Sequence, residues 1–232
     1  MMTYMVEIDG LQKRYNNKVA LNNIFLNVEK GKVLGILGPN GSGKTTLIKI
    51  LNGILAPTKG KALIDKKRIG PETKAITSYL PDRNFLYDWM NIKDSMNFYR
   101  DFYEDFNEDK FNDLLKFMKL SKDMKIKSLS KGMHEKLNLS LVLARESKLY
   151  VLDEPIAGVD PIARDQILNA IIDNYLEDST MIITTHLVRD MENIFNQVAF
   201  LSEGEIILSG DAETLREEKQ MQIEDIYKEI FR

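Results

Sequence analysis

The sequence predicts an α/β fold: a mainly parallel sheet flanked by helices, preceded by an antiparallel β-subdomain and interrupted by an inserted helical one. Three observations predict it. Short apolar runs, Val33 to Leu37, Leu149 to Leu152 and Met181 to Ile183, have the length and composition of strands buried on both faces. A glycine-rich loop separates the first run from Leu47, Ile48, Ile50 and Leu51, which recur at helical spacing. Polar and acidic residues stand at the carboxyl ends of the runs, where sheets of this kind bind ligands.

The elements follow in order. Tyr4, Val6 and Ile8, then Ala20, Leu21, Ile24, Leu26 and Val28, form alternating runs around the turn-like Tyr15-Asn16-Asn17-Lys18, which predicts antiparallel strands. Ala62 to Ile64 with Ile69 predict a return hairpin after the Pro57 to Gly60 turn, and residues 76–80 a strand stopped by Pro81. From Trp89 to Leu120 the chain turns aromatic and charged, with Met96, Phe98, Tyr99, Phe102, Phe106, Phe111, Leu114, Leu115, Phe117 and Met118 spaced for helical stripes. This predicts a helical subdomain over approximately residues 85–135. Its aromatics recur beside acids, not beside a basic groove, which favours a packed core over a base-stacking platform. Leu137 to Ala144 and Ile162 to Tyr175 read as helices, Val198 to Leu208 as a hairpin about Glu203-Gly204 with Gly210 as its stop. Residues 211–232 read as a polar, partly helical extension that packs loosely or serves a partner. The whole, 1–232, is expected to be a single domain.

Composition narrows the function. With 232 residues, 44% of them hydrophobic, the chain can bury a substantial core. Lys and Arg number 32 against 35 acids, interspersed, for a net charge of -3, so no nucleic-acid partner is expected. The absence of Cys excludes disulfides and thiolate chemistry and accords with a reducing compartment. The opening MMTYMVEIDG lacks the features of a leader, and no apolar stretch is long enough to span a bilayer.

The loop carries the strongest signal. Gly38, Gly43, Lys44 and Thr45 complete the pattern G-x-x-x-x-G-K-T between strand and helix. Gly38, Gly41 and Gly43 let the backbone turn its N–H groups on one anion, and the helix adds its positive end. Lys44 reaches the outer phosphates and the Thr45 hydroxyl is placed to ligate Mg²⁺. The loop is thus expected to hold a nucleoside triphosphate. Asp153, at the end of a buried strand, can bind Mg²⁺ directly or through water, and Glu154 beside it can polarise the attacking water; the pair could instead cap a helix. His186, behind a threonine pair, reads either as a structural hydrogen-bonding residue or as a group that orients water and senses the γ-phosphate. With His134 as the only other histidine, it is a poor metal-cluster candidate.

On these residues the chain resembles the ATP-binding subunit of ABC transporters over nearly its full length, especially the multidrug, antibiotic and ABC-2-like branch. The resemblance implies a P-loop NTPase core, ATP and Mg²⁺ as ligands, and ATP hydrolysis. It makes Gly38, Pro39, Asn40, Gly41, Ser42, Gly43, Lys44, Thr45 and Thr46 the Walker A segment and Leu149 to Asp153 Walker B. It further makes Tyr15 the aromatic that stacks on adenine, Glu154 the general base and His186 the switch histidine. Pro155 and Ala157 to Asp160 match the D-loop region.

The signature loop, usually Leu-Ser-Gly-Gly-Gln, reads here Leu129-Ser130-Lys131-Gly132-Met133. Ser130 and Gly132 are retained; Lys131 and Met133 depart from the commonest form and resemble the S-K-G-M loops of the ABC-2-like branch. In the family this loop covers the nucleotide of a second subunit. Asp82 stands where relatives usually place glutamine or glutamate. It keeps an acceptor but loses a methylene and the amide donor, which favours a water-mediated metal contact over direct coordination; its alternative reading is a cap of the following segment. The resemblance implies a second nucleotide-binding subunit, in a homodimer or a heterodimer, and a separate integral membrane permease. The chain itself is then expected to be cytoplasmic and peripheral on the membrane. The competing readings are a soluble ABC-type ATPase of DNA maintenance or translation and an ATP-dependent regulatory module.

Overall fold

The computed structural model describes residues 3–174 and 178–232. Ten strands occupy Tyr4–Tyr15 (β1), Lys18–Glu29 (β2), Val33–Leu37 (β3), Lys59–Ile64 (β4), Lys67–Arg68 (β5), Thr77–Leu80 (β6), Leu149–Asp153 (β7), Thr180–Thr185 (β8), Gln197–Ser202 (β9) and Glu205–Asp211 (β10). The helices are Lys44–Leu51 (α1), Pro71–Ala75 (α2), Ile92–Phe102 (α3), Glu108–Met118 (α4) and Lys131–Leu143 (α5). Pro161–Asn174 (α6), Val188–Met191 (α7), Ala212–Lys219 (α8) and Ile223–Ile230 (α9) are the remaining α-helices of the described residues.

A six-stranded sheet runs β10-β9-β3-β8-β7-β6. All its pairings are parallel except that of β9 with β10. A second, antiparallel sheet of four strands runs β2-β1-β4-β5. The P-loop NTPase core, the antiparallel N-terminal part and the inserted helices are therefore those the sequence predicts.

The buried strands alternate between two cores. Leu34 and Ile36 of β3, Leu149 and Val151 of β7 and Ile182 of β8 face α1 and the antiparallel sheet. Leu37, Tyr150, Leu152, Met181 and Ile183 face the other helices. Since side chains alternate along a strand, Tyr79, Asp153 and Thr184 fall on the α1 side. That geometry brings the acidic strand end to the phosphate loop.

The inserted helices α3 and α4 begin on side-chain caps. Asn91 accepts from Asp94 N at 2.8 Å and Asn107 accepts from Lys110 N at 2.9 Å. Cap duty thus falls to Asn91, not to Asp82. Tyr99 and Phe111 are buried in the core as predicted, but Phe98 (42% exposed) and Phe102 (68%) form an exposed pair. The insertion is joined to the sheet through buried Arg145, which donates twice to Asp105 (2.8 and 2.9 Å) and to the carbonyls of Thr77 (2.7 Å) and Ala75 (2.9 Å). The Tyr103 ring lies 3.9 Å from its guanidinium carbon.

Three expectations change. The hairpin strand runs through Gly210 to Asp211, because Gly210 and Asp211 still pair with Val198 and Gln197. Helix α5 begins at Lys131, well before Leu137, so the signature loop is itself the helix start. The 211–232 extension packs firmly, with Ile223 and Ile226 fully buried and the Glu192 carboxylate accepting from Glu224 N at 2.9 Å. Of the helix predicted from Ile162 to Tyr175, the last residue lies outside the described residues.

Candidate functional site

The phosphate loop is shaped by contacts that exclude side chains. A Cβ on Gly38 would stand 2.3 Å from Leu201 O, and one on Gly43, whose φ is +115°, would stand 2.7 Å from Ala20 O. The chain can therefore pass between β9 and the antiparallel sheet and enter α1 at Lys44. Lys44, 6% exposed, folds back over the loop. Its ammonium donates to Gly38 O at 2.7 Å and Pro39 O at 3.2 Å and lies 3.2 Å from Glu154 Oε1.

Strand β7 delivers the acids. Asp153 is 1% exposed, and its Oδ1 accepts from Thr184 Oγ1 at 2.5 Å and Thr45 Oγ1 at 3.4 Å. Burial pushes its carboxyl above the ordinary range, an effect the two threonine hydrogen bonds oppose. Glu154 then takes a left-handed φ of 52°, uncommon for a residue with a Cβ, which turns its carboxylate from the sheet toward the loop. Its N–H donates to Thr184 O at 3.0 Å, and its Oε2 lies 2.9 Å from His186 Nδ1. Glu154 thus stands between Lys44 and His186, and neither acid caps a helix.

A cleft of about 440 Å³ is lined by Tyr15, Asn40, Gly41, Lys44, Thr45 and Thr46 together with Asp82 and Glu154. Tyr15 is 44% exposed at its rim, with the Lys13 ammonium 5.2 Å from the ring centre. Lys18, Lys49 and Arg83 also line this cleft. Those cations, absent from the motif reading, suit a polyphosphate. Thr184 is the other functional residue that sequence reasoning missed: its position opposite Asp153 is a matter of strand register, not of motif.

The signature residues do not line this cleft. Ser130 caps α5, its Oγ accepting from Met133 N at 3.3 Å. Asp160 caps α6, accepting from Ala163 N at 3.0 Å. The two loops abut: a Cβ on Gly132 would lie 3.4 Å from Asp160 Oδ2, and one on Gly158 would meet the Lys131 ammonium at 2.1 Å.

The donor set fits a nucleotide with a divalent cation. Asp153 Oδ2 and Ser42 Oγ are buried without a protein partner, beside a loop built to admit an anion. Among the described residues no group of three or more His, Asp or Glu side chains could hold a metal alone. Mg²⁺ needs none, since it binds through one or two carboxylates together with phosphate oxygens and water.

The sheet order, phosphate loop and acidic strand end define a P-loop nucleotide-binding ATPase core. The sequence profile of the ABC transporter family matches residues 21–157, so the chain belongs to that family. It is 32% identical over 217 residues to the ABC transporter ATP-binding protein YtrB of Bacillus subtilis, covering 92% of this chain and 74% of that one. It is 30% identical to the lantibiotic transport ATP-binding protein SrtF of Streptococcus pyogenes, covering 88% and 90%. Among solved structures, a nucleotide-free ATP-binding cassette of an ABC transporter superposes with a TM-score of 0.78 at 25% identity, over 94% of this chain and 96% of that one. The ATP-binding subunit of an ABC transporter matches at a TM-score of 0.87 and 24% identity, over 97% and 98%, a likeness of fold.

Proposed function

We propose that this chain is the ATP-hydrolysing subunit of a transporter of the multidrug, antibiotic and ABC-2-like branch. In this reading two nucleotide-binding subunits, alike or different, pair beneath a separate integral membrane permease. The observation that carries it is Glu154, held 3.2 Å from Lys44 and 2.9 Å from His186 beside the buried Asp153. A carboxylate so placed can receive the proton of a water that attacks the γ-phosphorus as the bond to ADP breaks. Lys44 has two sets of partners, the loop oxygens with Glu154 or the incoming phosphate. Transfer of its ammonium to phosphate frees Glu154 Oε1 to accept the proton, while His186 keeps Oε2 oriented. Thr45 and Asp153 would hold Mg²⁺, which when bound offsets the charge on the outer phosphates. Tyr15 supplies a ring for adenine.

The permease reading rests on a groove of about 510 Å³ between the sheet and the helical insertion, lined by Tyr79, Asp82, Phe85, Tyr99, Tyr103 and Lys74. Asp82 and Arg83 line both this groove and the nucleotide cleft, which makes them the residues that would communicate occupancy of one to the other. Beyond the groove, Tyr87 (61% exposed) and Trp89 (74%) stack with ring centres 6.1 Å apart, an apolar surface suited to a protein partner. No helix among the described residues is long and apolar enough to cross a membrane, so translocation is assigned to the permease, with this chain held at its cytoplasmic face. The S-K-G-M loop at Ser130 to Met133 and the likeness to a lantibiotic transport protein over most of both chains support the branch.

Glu154→Gln tests the carrying observation. ATP affinity is expected to stay within about threefold while hydrolysis falls by about 10²–10⁴ and ATP-dependent pairing lengthens. Phosphate release at the unmutated rate from a folded Glu154→Gln protein would overturn the assignment. Recovery of the tagged chain from membranes together with a membrane-spanning protein tests the permease.

A further inference from the structure

Asp153 Oδ2 is not the only buried polar atom without a protein partner on the α1 face of the sheet; Tyr79 Oη is another. The register puts both residues on one face of neighbouring strands. Tyr79 pairs with Val151 across β6 and β7, and Asp153 follows Val151 by two residues on the same face. Tyr79 also lines the groove at the segment that leads into Asp82, three residues on.

Packing alone does not account for the hydroxyl. A phenylalanine would fill the same volume, and a buried hydroxyl without an acceptor is a net cost. Nor does the phenol ionise: burial first, then the carboxylates of Asp153 and Asp82, hold its pKa well above the ordinary 10.0. Tyr79 is therefore a neutral O–H donor, set in the field of two acids and lacking an oxygen to bond. Asp82, for its part, lacks the amide donor that a glutamine would bring.

We propose that the Tyr79 hydroxyl is a positioning donor for the cation that Asp153 would hold, acting on the Asp153 carboxylate through water. The role rests on Asp153 as the cation's carboxylate. It supplies, from the strand, the donor that Asp82 cannot.

The test compares Tyr79→Phe with Asp153→Asn in the full chain. Each is titrated with Mg²⁺ in the presence of the hydrolysis-resistant analogue adenylyl imidodiphosphate, and the analogue is also titrated alone in EDTA, by calorimetry. Tyr79→Phe is expected to weaken Mg²⁺ about three- to tenfold and to leave metal-free affinity unchanged. Without ligand it should melt at or above the unmutated temperature, because an unpaired buried hydroxyl has been removed. Asp153→Asn should lose most of the Mg²⁺ dependence. Unchanged Mg²⁺ affinity in Tyr79→Phe, with the loss in Asp153→Asn intact, would overturn the Tyr79 role alone. An equal loss in EDTA would overturn its assignment to the cation, and a lowered melting temperature without ligand would show the hydroxyl bonded within the protein. Unmutated Mg²⁺ dependence in Asp153→Asn would overturn the cation's place at Asp153, and the Tyr79 role with it.

Discussion

Lys44 is the residue on which the candidate site turns. It is almost wholly buried, and its charge is matched by Glu154 and by two loop carbonyls. A buried ammonium is stable only with such partners, and the same donors can serve a triphosphate when one enters. Lys44→Ala therefore has two separable consequences. Nucleotide affinity should fall by at least about tenfold, since a charge-assisted contact to phosphate is lost. Stability should fall by about 1–3 kcal/mol, because the loop oxygens and Glu154 lose a buried donor. Nucleotide titration measures the first and thermal unfolding the second. A folded Lys44→Ala protein with unchanged affinity and turnover would reject the role. The motif in the sequence names Lys44 for phosphate, but its contact with Glu154 joins residues 110 positions apart and comes only from the sheet.

At the scale of elements, the C-terminal helices show how a short local signal sets a boundary. Asp211 ends β10 and caps α8, accepting from Thr214 N at 3.0 Å and Thr214 Oγ1 at 3.2 Å. The Thr214 backbone bond, above all, holds the Asp211 carboxyl below its ordinary 3.8. Because the folded value is depressed, the cap's stabilisation is full above the ordinary value and is lost as pH falls through the lowered one. Asp211→Ala should cost about 0.5–2 kcal/mol at neutral pH, and the difference from the unmutated protein should shrink in acid. Paired denaturant melts across that range measure both; a difference that grows in acid would contradict the cap. Residues 211–232 look polar in sequence because their apolar positions are few. Ile223 and Ile226 nevertheless close the core on α7, the helix that follows His186. The strands were legible because five-residue apolar runs have few other uses. The start of α5 at Lys131 was not, since its first turn carries no apolar stripe and depends on the Ser130 cap. Nor was Tyr79's hydroxyl, whose environment is made by a neighbouring strand.

At the scale of the whole molecule, the nucleotide cleft and the signature loop of a single chain do not meet. Lys44, Thr45 and Glu154 line the cleft, whereas Ser130 to Met133 abut the chain's own D-loop at Gly158 and Asp160. If a second subunit supplies the signature loop, Ser130→Arg should block turnover while its own chain still binds ATP, because arginine's bulk prevents close approach to the opposite γ-phosphate. Ser130 also caps α5, so the substitution has a structural cost of its own, about 1 kcal/mol, which Ser130→Ala measures without the bulk. Mixing separates the two subunits' roles. In a homodimer, Ser130→Arg combined with Lys44→Ala leaves one composite site with both Ser130 and Lys44 and another with neither. Two inactive preparations should then recover hydrolysis on mixing, whereas a signature loop that served its own chain would recover none. In a heterodimer the same pair of substitutions must be placed in the two natural subunits, and unequal sites will appear as unequal losses. The readouts are ATP affinity, ATP-dependent association and phosphate release in the reconstituted membrane complex. Normal association and turnover with Ser130→Arg would sink the role in trans; low activity of the isolated chain would be consistent with it, since under that role one chain would hold only half of each site.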